Sequence, residues 1–312
     1  MKSTAWCGDA IQFFRGFCMG AADTVPGVSG GTVALILGHY QRLLMAISRF
    51  DTTALKLTLS GRWADLSRHI DLRFLLLLGC GIVAGAGALA TTMHWLLEHR
   101  MPQTYAVFFG LVLASGWIVA KWVERWGGRP IIGLVVATAF AFWLAGLPIA
   151  DASDSRVYLF GASAIAICAM ILPGISGAFV LLLLGMYHPV IGMIKRFVRL
   201  DISGDLVIDL AIFASGCVVG LAAFSRLLKW LIRDHPDVTL ASLLGLMLGS
   251  LRRIWPLQQA TEATAELAFK ERQFVLVPVD QWPGELTPLV LSALAAGFLV
   301  IVAERIADKR ST

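Results

Sequence analysis

The chain has 312 residues, 57% of them hydrophobic and only 15% charged, with a net charge of +5 and a mean hydropathy of +0.75. So little charge on so apolar a chain excludes a soluble globular domain and defines a polytopic membrane protein. The Lys and Arg residues are dispersed rather than gathered in a stripe, which argues against nucleic acid as a partner, and the five cysteines read as small core residues without metal-ligand spacing.

Apolar segments run over 11–47, 74–97, 104–123, 131–150, 157–194, 207–232, 238–251 and 286–303, against about 20 residues needed for a helical span. The residues before the first segment include Asp9 and lead to Arg15 without an uninterrupted apolar core, so no cleaved signal peptide is expected. The first segment is too long for one crossing and is interrupted by Val25-Pro26-Gly27-Val28-Ser29-Gly30-Gly31-Thr32. Proline removes a backbone donor and glycine frees the backbone, so this run predicts a break in the helix. Segment 157–194 would be about 57 Å long as one helix. It is interrupted in the same way, by Leu172-Pro173-Gly174-Ile175-Ser176-Gly177. Open backbone at membrane depth survives only where protein covers it or where it lines a cavity, which makes the two breaks the natural binding-site candidates.

The breaks belong to a longer internal repeat. At an offset of 147 residues, Pro26, Gly27, Ser29, Gly30, Gly38, Tyr40 and Ile47 match Pro173, Gly174, Ser176, Gly177, Gly185, Tyr187 and Ile194. At an offset of 135, Gly81, Gly85, Trp95, Thr104, Gly110 and Ser115 match Gly216, Gly220, Trp230, Thr239, Gly245 and Ser250. The expected fold is therefore all-α and membrane-embedded, with repeats over 1–150 and 151–312 and an extramembrane loop at 256–285. Each repeat has a broken re-entrant hairpin, 11–47 or 157–194, followed by three transmembrane helices: 74–97, 104–123 and 131–150 in the first, 207–232, 238–251 and 286–303 in the second. Three crossings per repeat make the repeats inverted. That arrangement puts 17 of the 26 Lys and Arg residues on the cytoplasmic side together with both termini, as the positive-inside rule prefers. The pairs Gly81/Gly85 and Gly216/Gly220 have the spacing of closely packed membrane helices.

Beyond each break the next helix begins at a serine followed by glycine, a hydroxyl cap and then unshielded backbone amides. Such a terminus attracts an anion, so Ser29, Gly30, Gly31 and Thr32 in the first copy and Ser176 and Gly177 in the second are candidate phosphate ligands. The polar equipment is concentrated in the first copy, since Arg15, Asp23 and Thr32 correspond to Ala162, Met170 and Phe179. Arg15 has the donor geometry for a phosphate. Asp23 has three readings: a carrier of a coupling proton or cation such as sodium, an ion-pair partner of Arg15, or a helix cap. Tyr40 and Tyr187 read equally as head-group donors or interfacial anchors, and with Asp23 they are the candidates for coupling or gating. Arg252 and Arg253 end a helix, where a cation is ordinary, and also suit recruitment of an anionic head group at the outer leaflet. No protein-bound cofactor or metal is expected, and no catalytic residue. A carrier or channel for a small soluble anion would use the same termini; a membrane lipid phosphatase would need a nucleophile or an acid–base pair, and the scattered histidines offer none.

The run Arg15-Gly16-x-x-Met19-Gly20-x-Ala22-Asp23-x-Val25-Pro26-Gly27-Val28-Ser29-Gly30-Gly31-Thr32, the second Pro173-Gly174-x-Ser176-Gly177, and Gly249-Ser250-Leu251-Arg252-Arg253-Ile254-Trp255-Pro256 resemble the polyprenyl-phosphate transporter family of bacteria and archaea. The resemblance implies a multi-pass protein of the bacterial plasma (inner) membrane whose partner is undecaprenyl phosphate. Its implied role is to return that lipid carrier from the outer to the inner leaflet for cell-wall and surface-polymer synthesis.

Overall fold

The computed structural model describes residues 2–24, 29–264, 266, 269 and 272–308. Val25-Pro26-Gly27-Val28, the core of the first expected break, lies outside the described residues. Helix α1 (Lys2–Asp23) runs up to it and α2 (Gly30–Ile36) starts beyond it. A second interruption follows within a few residues. Gly38 takes φ +69°, a left-handed conformation that ends α2, and α3 (Tyr40–Ser48) begins two residues on.

The polar connection after α3 folds as two short helices, α4 (Thr52–Leu59) and α5 (Trp63–His69). Ion pairs fasten this region: Arg42 to Asp71 at 2.8 Å, Arg62 to Asp65 at 2.7 Å, and Arg73 to Asp9 of α1. Then come α6 (Leu72–His99), α7 (Met101–Lys121) and α8 (Gly128–Leu144).

The second half repeats the order. It has α9 (Arg156–Ile171), the short α10 (Gly177–Leu183), α11 (Tyr187–Val198), the long α12 (Gly204–Asp234), α13 (Pro236–Ser250) and α14 (Thr287–Asp308). Gly185, at φ +68°, ends α10 as Gly38 ends α2, and α10 and α11 meet at 114°. The turn that follows the longest helix of each half, α6 or α12, is built alike. Pro102 and Pro236 open α7 and α13, where the missing amide costs nothing. Thr104 and Thr239 each turn their hydroxyl back to the preceding carbonyls, Arg100 O at 2.8 Å and His235 O at 2.7 Å. Between α13 and α14 lie a 3₁₀ turn (Leu251–Ile254) and an antiparallel hairpin, β1 (Gln258–Ala260) and β2 (Phe274–Leu276), with Gln259 opposite Val275.

Among the described residues α6, α7 and α12 are each long and apolar enough to cross a membrane unaided, and α8, α9 and α14 are shorter apolar helices. Large apolar side chains such as Val83, Ile132, Val218 and Phe298 face outward, as a lipid solvent allows. Small residues occupy the contacts inside. A side chain at Gly16, Gly20, Gly81 or Gly85 would run into the backbone of the facing helix, so α1 and α6 lie backbone to backbone. Gly216 and Gly220 bring α12 equally close to α9, Gly245 and Gly249 bring α13 onto α8, and Gly110 brings α7 onto α14. The last two pairings cross between the sequence halves. Helices of the two halves thus alternate in the order α8, α13, α7, α14, while α1 pairs with α6 and α9 with α12, next to the short broken helices.

Candidate functional site

The first break spends its polar groups on the second. Ser29 Oγ donates to Leu172 O at 3.3 Å, Tyr40 Oη donates to Ile171 O at 3.1 Å, and Thr32 Oγ1 accepts from Gly174 N at 2.8 Å. All three side chains are buried. Pro173 interrupts the α9 ladder and leaves carbonyls and an amide without helical partners, and side chains from the other half supply them. Gly174 is held at φ +89°, and a β-carbon there would run into the backbone of Leu246 and Met247 in α13.

The start of α2, expected to receive a phosphate, is satisfied internally. Gly30 N donates to Asp23 Oδ1 at 2.6 Å, Gly31 N to Ser29 Oγ at 3.1 Å, and Thr32 N to Ser29 O at 2.9 Å. A carboxylate from the chain itself therefore sits where the external anion was expected, the cap reading of Asp23. Arg15 is not its partner. It lies eight residues earlier on α1, about 12 Å along the axis, where its guanidinium donates to Gln12 at 3.3 Å and neighbours His39 and Arg42.

The start of α10 differs. Ser176 makes no capping bond, and the Gly177, Ala178 and Phe179 amides have no acceptor among the described residues. Ser176, Ala178 and Phe179 line a cavity of about 50 Å³ that also receives Asp23, Thr24, Leu182, Tyr187 and Arg253. Phe179, Leu182 and Arg253 separate it from a vestibule of about 420 Å³. Arg252 and Arg272 line that vestibule, with β2 along one side.

The two adjacent arginines diverge. Arg252 donates to Phe142 O at 2.9 Å and stacks on the Phe142 ring at 4.5 Å, so it caps the end of α8. Arg253 lies over the Phe179 ring at 4.9 Å, and among the described residues its guanidinium has no carboxylate partner. Phe179 replaces the threonine of the first copy and looked like lost polarity; it is the aromatic face that holds the cation. The matched tyrosines also part: Tyr40 is consumed between the breaks, while Tyr187 lines the cavity. Phe179 and Thr24 were not among the expected site residues. No cluster able to hold a metal ion occurs among the described residues.

A bundle of apolar helices with outward-facing hydrophobics, packed through glycine, around a small charged cavity beside a wider basic vestibule defines a multi-pass α-helical membrane protein with an internal anion-compatible site. The chain belongs to the VCA0040-like, undecaprenyl phosphate translocase-like family, whose model matches residues 19–270. It is 39% identical to the polyprenyl-phosphate transporter of Vibrio cholerae serotype O1 over 305 residues, covering 95% of this chain and 96% of that one. It is 29% identical to the polyprenyl-phosphate transporter of Staphylococcus aureus over 258 residues, covering 79% and 86%. No solved structure matches.

Proposed function

We propose that the protein is a flippase for undecaprenyl phosphate that returns the lipid carrier from the outer to the inner leaflet of the bacterial plasma membrane. The observation that carries the reading is Arg253, a cation without a carboxylate partner among the described residues, set between a basic vestibule and a polar cavity. A cation held away from bulk water without a paired carboxylate is costly unless an anion joins it. A phosphate head group supplies that anion while its polyprenyl tail stays in lipid, so the protein has only to lower the barrier for the head. The names of the relatives supply the substrate class.

In this reading the halves 1–150 and 151–312 are inverted repeats, the broken segments re-enter the membrane from opposite faces, and both termini are cytoplasmic. The like order of helices and the like turns at Thr104 and Thr239 support the repeat. The interleaving of α7, α8, α13 and α14 favours these four as the static frame, with α1–α6 and α9–α12 as the parts that rock. Arg253, Ser176 and Gly177 then meet the phosphate. Ser29, Gly30, Gly31 and Thr32 hold the two breaks in register, and Arg15 serves the opposite end of α2.

The test is leaflet exchange of undecaprenyl phosphate by the purified protein in vesicles. Exchange is expected for the native chain and is lost in Arg253→Ala. Exchange by Arg253→Ala at the native rate overturns the site. Blocking of lipid binding by inorganic phosphate would favour a carrier for soluble anions, and phosphate release from the lipid would favour a phosphatase.

A further inference from the structure

Resting on the reading just given, we infer that Asp23 sets the head-group specificity of the inner cavity, admitting a lipid monophosphate and rejecting a lipid diphosphate. Asp23 and Arg253 line the same cavity, and among its described lining residues they are the one anion and the one cation. The other polar groups there, Thr24, Ser176 and Tyr187, are hydroxyls. The Asp23 carboxylate is not free to swing away. Gly30 N holds Oδ1 at 2.6 Å, and a β-carbon at residue 30 would lie 2.7 Å from Oδ2, so glycine is what allows the carboxylate to press so closely on the backbone.

The space agrees with the charge. The cavity of about 50 Å³ has the room of about two waters, against about 420 Å³ in the vestibule. A single phosphate meets Arg253 in this small space. A second phosphate brings at least one more negative charge, with no second cation to meet it and a fixed carboxylate in the same wall. At an effective dielectric constant of about 20, one extra charge within roughly 10 Å of Asp23 is enough for about a tenfold preference. The vestibule, with Arg252 and Arg272 beside Arg253, has neither the size limit nor the carboxylate among its described lining, so discrimination falls at the step from vestibule to cavity.

The experiment measures binding of short-chain polyprenyl monophosphate and diphosphate to the purified full chain in detergent. The native protein is expected to prefer the monophosphate by about tenfold or more. Asp23→Asn keeps an oxygen acceptor for Gly30 N and removes the charge; both affinities are expected to rise, the diphosphate more, leaving a ratio of about threefold or less. Equal affinities in the native protein overturn the inference whatever the variant does. So does a variant that folds and retains the native ratio. If the native protein binds neither lipid, the transport reading itself fails, an outcome distinct from binding both equally.

Discussion

Thr32 in the first break accepts a hydrogen bond from Gly174 N in the second at 2.8 Å, a bond between residues 142 positions apart that closes a helix end neither half closes alone. The Gly174 amide is buried and has no alternative partner among the described residues. Thr32→Val keeps the shape and removes the acceptor, so the amide bears the full cost of burial, about 1–3 kcal/mol. The expected result is a clear fall in melting temperature in detergent, with Thr32→Ser retaining most of the native value. A Thr32→Val protein as stable as the native one would show that the bond contributes nothing.

The glycine contacts predict a graded packing series. A β-carbon at Gly110 would overlap Ala293 O, and one at Gly81 would overlap Phe13 O, whereas Gly79 and Gly87 on the same helix as Gly81 face open space. Gly110→Val and Gly81→Val force helices apart or off rotamer and are expected to cost about 1–3 kcal/mol each. Gly79→Ala and Gly87→Ala are expected to be neutral or slightly stabilising, since alanine is the better helix former by about 1 kcal/mol. Melting temperatures of the four variants check the contrast.

What could be read in the sequence was what acts locally. Pro173 and Gly174 announced an interruption because proline and glycine change the backbone at their own positions, and the Gly81 and Gly85 spacing announced close packing because small residues have one main use in a lipid-facing helix. The interruptions at Gly38 and Gly185 were present in the aligned repeat but carried no such signal, since glycine alone is tolerated inside membrane helices. Polarity misled at the first break. Sequence shows which groups are able to bond, not which partner takes the bond, and Ser29, Thr32 and Tyr40 prove to be taken by the backbone of the other half. The pairing of α7 with α14 and of α8 with α13 was equally hidden, because chain order does not say which helices cross between halves.

The matched tyrosines separate in a way that activity can read. Tyr40 Oη is committed to Ile171 O at 3.1 Å within the packed region between the breaks, while Tyr187 lines the cavity beside Ser176 and Arg253. Tyr40→Phe is expected to lower stability by about 1 kcal/mol, the usual net value of such a bond, and to change leaflet exchange by less than about threefold. Tyr187→Phe is expected to slow exchange more than it lowers stability. The reverse pattern would move the head-group path to the first break.

Arg252 and Arg253 give the sharpest contrast, because they are neighbours of equal charge with different surroundings. Arg252 is bonded to Phe142 O and packed on the Phe142 ring, so Arg252→Ala removes a cap from α8 and is expected to cost about 1–2 kcal/mol of stability. Folded Arg252→Ala protein should still exchange lipid, at a reduced rate because the vestibule loses one of its cations. Arg253 has only aromatic faces around its guanidinium among the described contacts, so its removal breaks no close ion pair and its effect on melting should be smaller than its effect on exchange. Its effect on exchange should be at least tenfold, since a charge-assisted contact to phosphate contributes about 1.5–3 kcal/mol. Arg253→Lys keeps the charge but loses the planar donor fork that pairs with phosphate oxygens and stacks on Phe179, so a partial rate is expected, between the native value and that of Arg253→Ala. Melting curves and vesicle exchange measured on the three proteins decide the matter: equal loss of exchange at both arginines would mean that the vestibule acts as a whole, and that no single cation marks the way into the cavity.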